Sequence, residues 1–328
     1  MGVGSRVHNS THFVTIERPK GANVPIRPPQ NLEESMIPRF SLARPGSLAE
    51  AFAAHAAAGG DAAWYAGGTE LLQVMKMGFA QFATLVDLKG LPELRGIDVE
   101  ADGALRIGAA TTHREIERSP LVRRELPGLA DLETRVANVR VRNTGTIGGN
   151  LAFAEPHSDP ATFLLACDGT VELAGPGGTR TLPIDEFILG PLYTAREPDE
   201  IILAVRVPAR RRGEGRAYDK AAFFERPAAS VAVRLRVEDG TVAEARVAVG
   251  SLTEVPTIVE AAGAALTGAP ADAGAAGLEG PLAAAAAALA EVEAVADLNG
   301  SPDYKRHLAG VLVRRAGAAA LREAAADA

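Results

Sequence analysis

Apolar residues recur at every second position through Ile201, Leu203, Val205 and Val207, the period of a strand. Short apolar runs at 62–66, 84–88, 171–174 and 179–183 also predict strands. The last two flank Gly175-Pro176-Gly177-Gly178 and form a hairpin, as does the stretch 99–107 around Asp102-Gly103. Helix signals lie between them. Ser47-Leu48-Ala49-Glu50 is a capping box opening a helix that ends at Gly59-Gly60. Thr112-His113-Arg114-Glu115 is a second, opening a helical stretch to about Val136. Positions 70–77 are helical, and Ser158-Asp159-Pro160 introduces a helix over 159–167 with proline in its first turn.

The pattern changes after Arg210-Arg211-Arg212-Gly213-Glu214-Gly215-Arg216, a basic stretch that reads as a solvated linker. Strands at 217–225, 230–237 and 242–249 precede alanine-rich helices at 257–267, 281–296 and 304–325. Strands followed by helices indicate a separate α+β domain, and 328 residues accommodate about two domains. The expected division is an extension at 1–35, a first domain at 36–212 and a second at 213–328. The extension holds Pro19, Pro25, Pro28 and Pro29 and no apolar signal-peptide core, so it reads as a flexible or partner-draped arm.

Two glycine-rich segments carry the candidate chemistry: Trp64-Tyr65-Ala66-Gly67-Gly68-Thr69-Glu70-Leu71 and Thr144-Gly145-Thr146-Ile147-Gly148-Gly149-Asn150-Leu151. Each pairs adjacent glycines with Thr or Asn, and neither contains lysine. Glycine permits positive φ and close backbone approach, so successive N–H groups can converge on a phosphate. The first segment lies at a strand-to-helix turn, a favoured place for an anion. Two such segments suit a ligand with two phosphates.

A net charge of −7 argues against a general nucleic-acid binder and against an anionic membrane surface. Positive potential at a phosphate site must then come from backbone N–H groups and helix N-termini. The single cysteine, Cys167, ends the apolar run Ala161-Thr162-Phe163-Leu164-Leu165-Ala166 and reads as a buried, inert thiol. One thiol makes no internal disulfide, cysteine-ligated cluster or Cys-type zinc site. The six histidines show no metal-ligand spacing, so a metal-free chain in a reducing, cytoplasmic setting is expected. No apolar stretch reaches the ~18 residues of a membrane span, the poly-alanine around 283–290 included.

In their order along the chain, five motifs resemble the FAD-binding medium subunit of the molybdenum hydroxylases, the carbon monoxide dehydrogenase and xanthine dehydrogenase group. They are Ala66-Gly67-Gly68-Thr69-Glu70-Leu71-Leu72, then Arg142-Asn143 with the second glycine segment, then Ser158-Asp159-Pro160. Leu189-Gly190-Pro191-Leu192-Tyr193-Thr194 and Asp199-Glu200-Ile201-Ile202 complete the set. The resemblance covers residues 36–325. It implies an α+β chain: a PCMH-type FAD-binding domain of two α/β subdomains, then a small C-terminal domain with a three-stranded antiparallel sheet and helices.

By that resemblance Trp64, Tyr65, Ala66, Gly67, Gly68, Thr69, Glu70 and Leu71, with Thr146, Ile147, Gly148, Gly149 and Asn150, hold the FAD pyrophosphate. Asp159 binds ribityl or ribose hydroxyls, Ile202 contacts flavin or adenine by its backbone, and Lys220 lies near the flavin ring. Val136 aligns with a position near the flavin. The family tyrosine that stacks on the ring falls where Leu192 stands here, which makes Tyr193 the candidate. No catalytic residue and no metal ligand is expected in this chain. The resemblance also implies a large subunit with the molybdenum cofactor and a small subunit with [2Fe-2S] clusters, in a dimer of heterotrimers. Electrons would pass from those clusters to FAD and on to NAD, a quinone or oxygen.

The residues admit other readings. Asp159 fits a helix N-cap as well as a ligand contact, and Lys220 fits a surface strand lysine. Glu70 suits a helix N-terminus, and Arg140 and Arg142 suit a solvated face. One alternative function is an autonomous FAD-dependent oxidase or dehydrogenase of the PCMH type, with His157 as the candidate base. Another is a cofactor-free scaffold subunit, against which the intact glycines of both segments speak.

Overall fold

Ser47 shows how local chemistry starts an element here. Its hydroxyl accepts the Glu50 N–H at 3.2 Å and caps helix α1 (Leu48–Ala57), after the short strand β1 (Ser41–Ala43). The Glu50 carboxylate turns instead to the Gly46 N–H at 2.8 Å, so this box is only half closed. The computed structural model describes residues 37–271 and 277–326, and the extension expected at 1–35 lies outside them. Strands β2 (Ala62–Tyr65) and β3 (Thr84–Asp87) run parallel, joined through helix α2 (Leu71–Lys76). The sheet order is β1-β3-β2, all parallel. Parallel neighbours need such a crossover, which sets the first glycine segment at the carboxyl end of β2.

A second sheet takes β4 (Ile97–Val99) and β5 (Leu105–Gly108) as its first hairpin. Three helices follow rather than the single expected stretch: α3 (His113–Arg118), α4 (Pro120–Glu125) and α5 (Pro127–Thr134). Pro120 and Pro127 lack an N–H and each begins a new helix. The Thr112–Glu115 capping box at α3 is complete. Helices α6 (Val139–Thr144), α7 (Ile147–Phe153) and α8 (Asp159–Ala166) lead to the hairpin β6 (Thr170–Gly175) and β7 (Gly178–Pro183). A turn of helix α9 (Ile184–Phe187) and the small hairpin β8 (Ile188–Gly190) and β9 (Tyr193–Thr194) precede β10 (Ile201–Val207). The sheet order is β4-β5-β10-β6-β7, antiparallel throughout.

Alternation along β10 is incomplete because the strand serves two cores. Ile202, Val205 and Val207 belong to a large cluster with Phe163 and Phe187, while Ile201 joins a smaller one with Leu91 and Leu94. A register shift against β6 between Ile202 and Ala204 accompanies the change.

The C-terminal part is the expected antiparallel sheet with helices. Strands β11 (Glu214–Ala221), β12 (Ala229–Glu238) and β13 (Thr241–Gly250) gain a short fourth strand, β14 (Thr257–Ile258). Helices α10 (Glu260–Leu266), α11 (Glu279–Leu289) and α12 (Pro302–Ala326) cover it. Alanine suits them because small side chains let helix backbone approach strand backbone. A Cβ at Gly215 on β11 would lie 1.8 Å from the Ala320 carbonyl oxygen of α12.

The basic stretch 210–216 is a seam rather than a solvated linker. Arg216 is 2% exposed on β11, paired with Glu214 at 2.5 Å and donating to the carbonyls of Pro208 and Ala209. Arg210 pairs with Glu323 at 2.9 Å, and Arg211 with Glu214 and Glu244. Glu214 within the stretch, and Glu244 and Glu323 from far along the chain, compensate cations that a local reading leaves in water.

Candidate functional site

β2 ends at Tyr65 and α2 begins at Leu71, so the chain turns within the first glycine segment. Gly68 takes φ +71°, which few other residues adopt. A Cβ at Gly67 would sit 2.3 Å from the Thr144 carbonyl oxygen and 2.7 Å from the Gly145 Cα, so only glycine lets the two segments touch. The carbonyls of Gly68 and Glu70 accept from Leu72 and Val74. Among the described residues, the N–H groups of Gly67, Gly68, Thr69, Glu70 and Leu71 have no acceptor within the chain. Five consecutive backbone donors are therefore left unpaired at one half-buried turn.

The second segment differs from a phosphate loop. Thr146 caps α7 by accepting the Gly149 N–H at 3.1 Å, and Gly148 and Gly149 lie inside that helix's first turn. The Ile147 N–H goes to the Thr111 carbonyl and the Gly148 N–H to the Ala109 carbonyl, at 3.1 and 2.9 Å. A Cβ at Gly148 would lie 2.5 Å from that of Ala109. The donors of Ile147, Gly148 and Gly149 thus serve the protein, and the segment acts as a wall against which the first one packs. The Asn150 Oδ1 accepts from the Ser158 hydroxyl at 2.6 Å, tying α7 to the start of α8.

Asp159 and Lys220, which the sequence treats separately, form one unit. Asp159 is 5% exposed and accepts from Lys220 Nζ at 2.6 Å and from the Tyr218 hydroxyl at 2.5 Å. Asp159 is not the N-cap of α8; Ser158 holds that position, without a side-chain capping bond. Lys220 is not a surface lysine, its side chain being 7% exposed. Burial pushes the Asp159 carboxyl up despite the Lys220 ammonium, and burial with the Asp159 charge raises the Tyr218 phenol well above its ordinary range.

Glu70 makes no capping bond at α2, and burial raises its carboxyl against the opposing Arg226 charge. Arg142 leaves the solvated face expected for it: it pairs with Glu117 at 3.0 Å and donates to the Val136 carbonyl at 3.0 Å. Arg140 is exposed. The Trp64 ring turns away from the glycines, stacking on His55 at 4.1 Å and donating to the Pro198 carbonyl at 3.1 Å. Ile202 is buried in the large core, so its backbone alone can meet a ligand. Tyr193 is 48% exposed on the β8–β9 hairpin, beside exposed Leu189 and Leu192. Cys167 is buried, with burial pushing its thiol up to about 12.

His157 engages both ring nitrogens, Nδ1 with Glu155 at 2.8 Å and Nε2 with Asp297 at 2.7 Å. A histidine so held lacks a free nitrogen for substrate, which removes the base of the autonomous oxidase reading. Lys89 is a site residue the sequence did not reveal. Its Nζ lies 3.3 Å from the Ala66 carbonyl oxygen and 3.7 Å from the Tyr65 ring centroid. The signal was available in the parallel pairing, which brings the carboxyl ends of β2 and β3 to one edge.

Comparison with known proteins gives this arrangement a lineage. Residues 38–210 match the FAD binding domain in molybdopterin dehydrogenase, and residues 225–320 the CO dehydrogenase flavoprotein C-terminal domain. The chain is 38% identical to the carbon monoxide dehydrogenase medium chain of Hydrogenophaga pseudoflava, over 85% of this chain and 96% of that one. It is 33% identical to the nicotine 6-hydroxylase medium subunit of Paenarthrobacter nicotinovorans, over 76% and 86%. Carbon monoxide dehydrogenase from H. pseudoflava, in a form lacking the Mo-pyranopterin moiety, superposes with a TM-score of 0.81 at 39% identity, covering 88% of this chain and 99% of that one. The chain belongs to the FAD-binding medium subunits of the molybdenum hydroxylase family, the carbon monoxide dehydrogenase and xanthine dehydrogenase type.

Proposed function

We propose that this chain is the electron relay of a three-component enzyme. It takes electrons from [2Fe-2S] clusters of a small partner and passes them to NAD, a quinone or oxygen. A large partner carrying the molybdenum cofactor selects the substrate, in a cytoplasmic dimer of heterotrimers. The first domain at 36–212 holds FAD and the second at 213–328 closes on it. The observation that carries this reading is the joint at Gly67, where five unpaired N–H donors stand beside a glycine wall.

The residues fit FAD. The cofactor supplies the redox chemistry that a chain with one buried cysteine lacks. The N–H groups of Gly67 to Leu71 would hold its pyrophosphate, with the Trp64-Tyr65-Ala66 strand end and the Thr146–Asn150 wall forming the sides of the site. Lys89, ion-paired with Asp87 at 2.7 Å, adds an ammonium donor at the same turn. The Asp159–Lys220 pair offers a fixed carboxylate and ammonium for ribityl hydroxyls and the flavin edge, and the Ile202 backbone completes the pocket. Tyr193 supplies an aromatic face for the ring.

Denaturation of the purified chain, or of its complex, should release non-covalent FAD. Released FMN, flavin retained covalently, or no flavin from a folded preparation would overturn the reading.

A further inference from the structure

We infer that the buried His113–Glu133 pair is a positioning element for the FAD pyrophosphate, holding a proton beneath the Gly145 peptide so that bound cofactor and protonated imidazole stabilise each other. The inference rests on the reading of the first glycine segment, packed against the second as its wall, as the pyrophosphate site. His113 begins α3 and Glu133 lies in α5, at 2% and 0% exposure, with Nδ1 and Oε2 2.8 Å apart. Among the described residues the second carboxylate oxygen, Oε1, has no hydrogen-bond partner, so the imidazole is the group that compensates this carboxyl there. A buried carboxyl so placed is costly unless a proton is shared with it.

The histidine is also joined to the glycine segments. Its backbone N–H donates to the Gly145 carbonyl at 3.0 Å. Its Cδ2 edge lies 3.3 Å from the point a Gly145 Cβ would occupy, and Thr69 Oγ1 lies 3.5 Å from that point. One side of the ring thus holds Glu133 and another faces the junction of the two segments. The charged groups around it are Glu133 on α5, Asp159 on α8 and Arg142 on α6. Burial and Arg142 oppose the protonated ring, but Glu133 and Asp159 outweigh them and raise its pKa above the ordinary value. A pyrophosphate nearby raises it further, so FAD binding takes up a proton and weakens as pH rises through the imidazole titration.

The test is calorimetric titration of the full-length, flavin-stripped chain with FAD between about pH 6 and 9, in two buffers of different ionisation enthalpy. The wild-type chain should take up protons on binding. H113Q/E133Q keeps a hydrogen-bonded neutral pair; it should melt near the wild-type temperature, bind FAD about five- to tenfold more weakly at neutral pH and take up no proton. E133Q alone should move the loss of affinity to lower pH. Wild-type affinity in H113Q/E133Q, or a uniform loss with proton uptake unchanged, would overturn the inference. A folded wild-type chain that binds no FAD would instead overturn the underlying site.

Discussion

At Gly67 a single hydrogen atom decides whether two distant segments meet. A Cβ there would overlap the Thr144 carbonyl oxygen at 2.3 Å, and backbone cannot yield as a side-chain end can. Gly67→Ala should therefore cost about 1–3 kcal/mol by overpacking and should weaken FAD binding with it. Denaturant melts and flavin titration of the variant check both; a normal melt with normal affinity would mean that the segments tolerate separation. The Asp159–Lys220 pair makes a second residue-scale test. Lys220→Met removes the ammonium from a carboxylate that is 5% exposed. Removing one partner of a buried pair costs about 3–5 kcal/mol, so the melting temperature should fall sharply, and Asp159→Asn in the same chain should recover part of the loss. Glycine identity was legible in the sequence at both segments. The ion pair was not, because its partners come from a helix start and a strand separated by sixty-one positions.

Elements here are set by caps and close approaches more than by hydrophobic period. Thr146 starts α7 through a hydroxyl bonded to Gly149, so Thr146→Ala should cost about 1 kcal/mol and loosen the wall beside the first glycine segment. In the second domain Gly215 admits α12 onto β11. Gly215→Val should push the helix off the sheet, and exchange protection of the amides in 302–326 should fall before that of β5 and β10. Equal loss in both regions would show that the two cores unfold as one. Prolines at 120 and 127 split the helical stretch after Thr112, a division present in the sequence as two residues without an N–H. Helix α6 rests on a single local marker, Asn138, which caps it by accepting from the Arg140 and Val141 N–H groups.

The two domains are joined by charge as well as by apolar packing. Tyr218, Ala232 and Ala248 of the C-terminal sheet belong to the same core as Phe163 and Leu164 of α8. Around that core Asp159 meets Lys220, Arg135 meets Asp219, and His157 meets Asp297, which Lys305 also holds. The His157 contact gives the molecule a predictable pH response. Burial disfavours its protonated form, yet Glu155 and Asp297 more than offset this and raise its pKa above 6.5. Its contribution is therefore complete below that value and is lost as pH rises through the folded-state pKa. Asp297 is depressed from 3.8 to about 2: burial alone would raise it, and Lys305 and His157 prevail. Its contribution is present above 3.8 and lost as pH falls through about 2. The melting temperature should hold its plateau between these limits, and His157→Gln should flatten the alkaline decline. An unchanged decline in that variant would place the titrating group elsewhere. Affinity capture of the full chain from its host should also bring down a cysteine-rich small chain and a large molybdenum-containing chain. A lone monomer oxidising an organic substrate without either metal would sink the relay reading.

The sequence by itself determined most strands and capped helices, the two glycine segments and the family, because caps, strand period and glycine motifs are local and survive without knowledge of neighbours. It also marked Cys167 as an inert thiol from its apolar surroundings alone. Tertiary structure decided what those residues touch. It turned the second glycine segment into a helix start whose donors the protein uses, and it buried Arg216 in a stretch that looks solvated. It paired Asp159 with Lys220 and occupied both nitrogens of His157. For the glycine segment, for Asp159 and for the Nε2 of His157 the outcome depends on a charge or a carbonyl brought in from far along the chain, whereas the side chain of Arg216 closes on near neighbours that only the folded strand turns toward it. Compensation of that kind has no local signature, since burial and its partner arise together only when the chain closes on itself.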